Sequence, residues 1–200
     1  MTVPIKTASS NIKKNVTVRP FSPSNDEKHF ERIRGLINSA YRSDKSWTTE
    51  KHLIRGERMT IENLRRTLEN DSIHLFLASI PGNSAENKQA SSEDELIVGT
   101  VDIEFNEEYP GAGLLGCLAV DPEFQSHGIG SRLVSHAMHF AKEQLKLSKM
   151  VIWVVDKRSD IIGWYERLGF KKTMERRPFV WPNLIRDGIE LDFIVLEKAL

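Results

Sequence analysis

The sequence has little cysteine, few aromatics, no excess of either charge and no long apolar run. Each shortage narrows what the protein can be. The single cysteine, Cys117, excludes an intrachain disulfide and any zinc site built from several thiolates. Lys and Arg total 28, as do Asp and Glu, so no overall field draws the chain to nucleic acid or an anionic membrane. No apolar stretch approaches the ~18 residues of a membrane span, and the first residues lack the apolar core of a secretion signal. A reducing, soluble compartment, cytoplasmic and/or nuclear, is the expectation, and the sequons at Asn15 and Asn70 read as coincidence. Residues 1–15 carry Lys6, Lys13 and Lys14 with no acidic partner and read as a flexible basic tail ahead of one domain over 16–200.

What is present is an alternation of strand and helix signals. Residues 16–19 alternate like a short strand, and Phe30, Ile33, Leu36, Ile37 and Ala40 recur at helical spacing up to Tyr41. Thr60 caps a second helix over 61–70. Strands follow at 73–80, 96–105 and 113–120, with a long hydrophilic loop, 81–95, between the first two. Residues 113–120 are nearly all apolar, which predicts a strand buried on both faces. A long helix is expected from Gly128 to about Leu147, then a strand over 150–155 and a helix that Ser159 caps and Gly169 stops. Short strands at 170–173 and 191–196 complete a mixed α/β pattern of about seven strands and four helices.

The chemistry concentrates where the apolar strand ends. Asp121-Pro122 breaks it, and Gln125-Ser126-His127-Gly128-Ile129-Gly130-Ser131 opens directly into the long helix. Glycines at 128 and 130 remove side chains where a backbone must approach a ligand. The first helical turn leaves amide N–H groups unpaired beside the positive end of the helix dipole, a site suited to a pyrophosphate without any metal. The P-loop signature is missing, and the glycine spacing is not that of a dinucleotide fold.

The block Leu118-Ala119-Val120-Asp121-Pro122, followed by Gln125, Gly128 and Gly130, resembles the acetyl-CoA loop of the GNAT superfamily, Arg/Gln-x-x-Gly-x-Gly/Ala. A second block, Ile161 to Phe170 with Trp164, Tyr165 and Leu168-Gly169-Phe170, resembles that family's later helix. The resemblance implies a GNAT fold, with a central twisted mixed sheet flanked by helices. It also implies acetyl-CoA as cosubstrate, held between the splayed fourth and fifth strands. Backbone groups of Leu118, Ala119 and Val120 would meet the pantetheine arm, and amides from Gln125 through Ser131 the pyrophosphate. Tyr165 would protonate the leaving thiolate, and an N–H near Leu118 would stabilise the oxyanion. Direct attack in a ternary complex leaves Cys117 as an inert buried thiol.

The proton acceptor is not singled out by the sequence. Glu104 is the expected catalytic base beside Tyr165, with Glu107, Glu108 and His74 as other candidates. Two departures from the family pattern stand out. Arg158 occupies a position where many members have asparagine, and residues 113–116 offer no acidic side chain. Acceptor walls are expected from Tyr41 and Trp47 on one side and Phe179, Val180, Trp181 and Pro182 on the other. The expected partners are acetyl-CoA and a primary amine, favouring a small amine or amino acid, in a monomer or homodimer without metal, nucleic acid or membrane. A protein N-terminal or lysine acetyltransferase and a non-catalytic acyl-CoA-binding module remain the alternatives.

Overall fold

Apolar spacing and local capping place the elements close to where the sequence predicts them. The computed structural model describes residues 15–82 and 95–200, so nearly all of the basic N-terminal stretch and of the hydrophilic loop lies outside the described residues. The order is β1 (Thr17–Pro20), α1 (Phe30–Arg42), α2 (Ile61–Glu69), β2 (Ile73–Pro81), β3 (Glu95–Phe105), β4 (Ala112–Val120), α3 (Ile129–Glu143), β5 (Lys149–Val155), α4 (Ser159–Arg167), β6 (Lys171–Pro178) and β7 (Asp192–Ala199). The strands form one sheet in the order β1-β2-β3-β4-β5-β7-β6. Among the described strands β4 and β5 alone run parallel, and every other pair is antiparallel.

The two faces of the sheet bury different helices. Val101, Ile103 and Leu115 pack with Ile129, Leu133, Val134 and Ala137 of α3, and α4 adds Ile162 and Tyr165 to that layer. Leu75, Leu77, Cys117 and Ala119 face the opposite way, against Ile33, Leu36 and Ile37 of α1 and Leu64 of α2. The Thr60 hydroxyl accepts the Asn63 N–H at 3.1 Å, the cap that starts α2. Among the described residues no helix is long and apolar enough to cross a membrane.

Three of the boundaries that differ from expectation have a local physical reason. Helix α3 stops at Glu143 because Lys146 takes a left-handed φ of 55° and the Leu147 N–H returns to the Ala141 carbonyl at 3.0 Å. Arg158, not Ser159, is the residue preceding α4, and no side chain caps that end. Strand β6 continues to Pro178 through a largely polar stretch, since it is an edge strand bonded only to β7. Gly169 does close α4 as expected, with φ 90° and its N–H on the Glu166 carbonyl at 2.9 Å.

Strand β4 corrects the reading that matters most for the site. The sequence predicts burial on both faces, yet Gly116, Leu118 and Val120 are half-buried. The reason is in the pairing. Strands β4 and β5 meet only over Ala112–Lys149, Gly113–Met150 and Leu114–Val151, and beyond that point each lacks the other as partner. A wedge therefore opens in the middle of the sheet.

Candidate active site

Leu118 and Val120 from β4, with Ile152 and Val154 from β5, line the wedge, which widens into a cavity of about 710 Å³. A β-bulge shapes its β4 edge. Thr100 pairs with Ala119 and Asp102 with Gly116, so three steps on β4 oppose two on β3. Cys117 adopts φ 44° within this bulge, and its carbonyl accepts the Thr100 hydroxyl at 2.9 Å. The thiol is buried against α1, outside the cavity lining, and burial above all pushes it up to about 12.

At the wide end of the wedge, Gln125, Ser126, Gly128, Ile129, Gly130 and Ser131 all line the cavity. Gly128 takes φ 80° at the helix start, a conformation an L side chain resists. The first helical bond is made by the Arg132 N–H to the Gly128 carbonyl at 3.1 Å. The amides of Ile129, Gly130 and Ser131 have no acceptor among the described residues. Three free N–H groups beside a helix dipole fit a phosphate group. Ala119 and His127 are not part of the lining. Ala119 faces α1, and the His127 ring Nδ1 lies 2.7 Å from the Gln125 carbonyl, bracing the loop.

The Gln125 side chain does something the sequence does not disclose. Its Nε2 donates to the Ser46 hydroxyl at 2.9 Å and the Val120 carbonyl at 3.0 Å, while its Oε1 accepts the Trp47 N–H at 3.2 Å. It thereby ties the phosphate-type loop to the segment after α1. Arg158 makes a second tie, donating to the Thr48 carbonyl at 2.9 Å and twice to Asp160. These bonds engage the guanidinium in holding α4 to the 46–50 segment.

Tyr165 projects from α4 into the cavity, only 4% exposed, with its ring edge-on to Trp164 and Phe170. Its hydroxyl has no hydrogen-bond partner among the described residues, and burial raises its pKa well above the usual phenol value. It stays a protonated donor at neutral pH. Tyr41 approaches from α1 and donates to the Leu118 carbonyl at 3.0 Å. The two phenols thus flank the cavity from opposite faces of the sheet.

Beyond them lies the region expected to receive an acceptor. Arg55 and Arg186 donate backbone N–H groups to Leu184 and Leu53 at 2.8 and 3.0 Å, and an isolated bridge joins Ile54 to Ile185. These bonds bring the segment before α2 against the β6–β7 connection. Phe179 and Trp181 line the cavity with Trp153 and Phe193, while Val180 and Pro182 do not. Tyr41 and Trp47 line it from the other side.

The residues considered as proton acceptors are dispersed. Glu104 sits opposite Leu114, where β4 is still paired with β5, and outside the cavity lining. Glu107 is exposed, Glu108 pairs with Arg177, and His74 packs between Phe105 and Phe140. The carboxylates that do line the cavity are Glu50 and Glu57, neither of which the sequence singled out. Glu50 is 7% exposed and held by Arg42 at 2.7 Å. Asp102 is also buried. Its carboxyl fills the space left by the missing side chain of Gly116, where a Cβ would overlap Oδ1. Burial pushes it up to about 7, opposed by Arg58 and reinforced by Glu104. At the far edge of the sheet, Asp26, His29 and Glu95 come within 4.8 Å of one another, with Arg19 bonded to both carboxylates.

Sheet order, central wedge, amide loop and buried tyrosine together are those of the N-acetyltransferase fold class. Residues 39–170 match the Acetyltransferase (GNAT) family, and the chain belongs to it; by family it is an acetyl-CoA-dependent N-acetyltransferase. No curated protein matches the sequence. Solved structures do. The spermidine N-acetyltransferase of Vibrio cholerae, in complex with CoA and spermine, is 14% identical with a TM-score of 0.61, covering 93% of this chain and 96% of its own. The ribosomal-protein-alanine N-acetyltransferase of Brucella melitensis is 18% identical, TM-score 0.62, covering 92% and 99%. A chain of the NatC complex bound to Gag peptide and CoA is 20% identical, TM-score 0.62, covering 93% and 99%. At these identities the likeness speaks for the fold.

Proposed function

We propose that the protein transfers acetyl from acetyl-CoA to a primary amine of a small acceptor by direct attack within a ternary complex. The observation that carries this reading is the continuous cavity. It runs from the free amides at the start of α3, between β4 and β5, past Tyr165 to the aromatic acceptor wall. Bound acetyl-CoA supplies an activated thioester carbonyl. The amides of Ile129, Gly130 and Ser131 hold its pyrophosphate, and the backbone of Leu118 and Val120 orients the extended arm. N–H groups of β4 beside the bulge at Cys117 stabilise the negative charge that develops on the reacting carbonyl.

As the C–N bond forms and the C–S bond breaks, the Tyr165 hydroxyl delivers its proton to the departing sulfur. Glu50, the buried carboxylate of the lining, takes the proton released by the amine. Arg42 holds that carboxylate in place through their ion pair. Tyr165→Phe tests the scheme. Its kcat is expected to fall by ~10²- to 10⁴-fold with little change in acetyl-CoA affinity, read by thiol release and by calorimetry. Wild-type kcat in this variant would remove Tyr165 from the chemistry.

A further inference from the structure

Six charged side chains line the cavity: Arg42, Glu50, Glu57, Arg58, Arg158 and Arg167. Four are already matched. Arg42 pairs with Glu50 at 2.7 Å, Glu57 with Arg34 at 2.9 Å, and Arg158 with Asp160 at 2.9 Å. Both carboxylates of the lining therefore already hold an arginine. The two left without an ion pair among the described residues, Arg58 and Arg167, are both cations.

Their positions separate their roles. Arg167 ends α4, one turn beyond Gly163, on the helix whose Trp164 lies against Gly130 of the phosphate-type loop. It belongs to the cofactor end. Arg58 is on the other side. Its backbone is fixed by Asn38 of α1, whose Oδ1 accepts the N–H groups of Arg58 and Met59 at 2.7 and 3.1 Å and whose Nδ2 donates to the Met59 carbonyl at 2.8 Å. Its guanidinium stacks over Tyr41, 5.2 Å from the ring centre, and Tyr41 is in turn bonded to Leu118 at the bulge. A rigidly mounted, half-buried guanidinium thus faces the acceptor end beside the reacting strand.

We infer that Arg58 binds a carboxylate of the acetyl acceptor, so that the acceptor is a small amine carrying a carboxylate, an amino acid in kind, and not a polyamine. This rests on the acetyl-transfer reading. A guanidinium fork matches a carboxylate in geometry as well as charge. A polyamine would bring several positive charges to a wall with no unmatched carboxylate among the described residues and with Arg58 opposing it. Size points the same way, since about 710 Å³ must also admit the acyl-carrying arm. The rings of Trp153, Phe193, Phe179 and Trp181, stepped at 5.2 to 6.0 Å, supply an apolar wall for the acceptor's side chain.

Phenylalanine and phenethylamine differ only in the carboxylate, and thiol release at saturating acetyl-CoA gives kcat/KM for each. Wild type should favour phenylalanine by on the order of 10- to 100-fold, the worth of a hydrogen bond to a charged group. Arg58→Met should erase that ratio and Arg58→Lys keep part of it, with acetyl-CoA binding by calorimetry showing that each variant is folded. Equal rates for the pair, preference for spermidine or for a phenylalanine-initiated hexapeptide, or an unchanged ratio in folded Arg58→Met would each overturn the inference. Wild type that binds acetyl-CoA but acetylates none of these amines would sink the acetyl-transfer reading itself, and this inference with it.

Discussion

Asp102 gives the account a quantitative test that is independent of any substrate. Its carboxyl sits over Gly116, and burial raises it from an ordinary 3.8 to about 7, despite Arg58. The unfolded chain therefore loses this proton first as pH rises. The contribution to stability is intact below the unfolded value, falls through the interval, and is fully lost above about 7. The whole gap corresponds to about 4 kcal/mol, and about 3 kcal/mol of it falls between about pH 5 and pH 8. Asp102→Asn removes the titration while keeping an acceptor for the Gly116 N–H. Urea unfolding across that range should show wild type losing stability relative to the variant by about 3 kcal/mol from the acid to the alkaline end. Titrations common to both proteins cancel in this difference. Parallel pH profiles would refute the placement of a buried, reluctantly ionised carboxyl beneath the bulge.

Three further substitutions address the site. Glu50→Gln should lower kcat by ~10²-fold or more with acetyl-CoA affinity retained, whereas Glu104→Gln, altering a residue outside the cavity lining, should have a small effect. The reverse order in a steady-state assay would return the proton acceptor to β3. Gln125→Ala removes the tie among Ser46, Trp47 and Val120 and should destabilise the fold by about 1–3 kcal/mol in chemical denaturation, with weaker cofactor binding. An unchanged midpoint would show that the loop and the 46–50 segment are not coupled.

The cofactor end was legible because its physics is local. A strand break, two glycines and a helix start are contiguous from Asp121 to Ser131, and the left-handed Gly128 and Gly169 stand where the pattern demands them. The acceptor end was less so, because register decides it. Asp102 and Glu104 share one face of β3 by alternation, and only the pairing with β4 tells them apart. Glu104 falls opposite Leu114, where the sheet is closed, and Asp102 opposite Gly116, where it opens. The absence of an acidic residue at 113–116 reads in sequence as a gap; in three dimensions Asp102 fills the space at Gly116. Glu50 and Arg58 lie in an irregular polar segment whose periodicity carries no signal, and α1, through Tyr41 and Asn38, fixes both. The side-chain bonds of Gln125 cross nearly eighty residues, beyond the reach of any local pattern.

The central claim is that the opening turn of α3 and the wedge between β4 and β5 bind acetyl-CoA. Gly130 is the cleanest probe, because it lies within the helix and a Cβ there meets Trp164 only at an ordinary 3.5 Å. Gly130→Glu should therefore fold while setting a carboxylate beside the three free amides. Calorimetric titration with acetyl-CoA should show micromolar binding by wild type and none by this variant. No binding by folded wild type, or equal binding by both, would contradict the account.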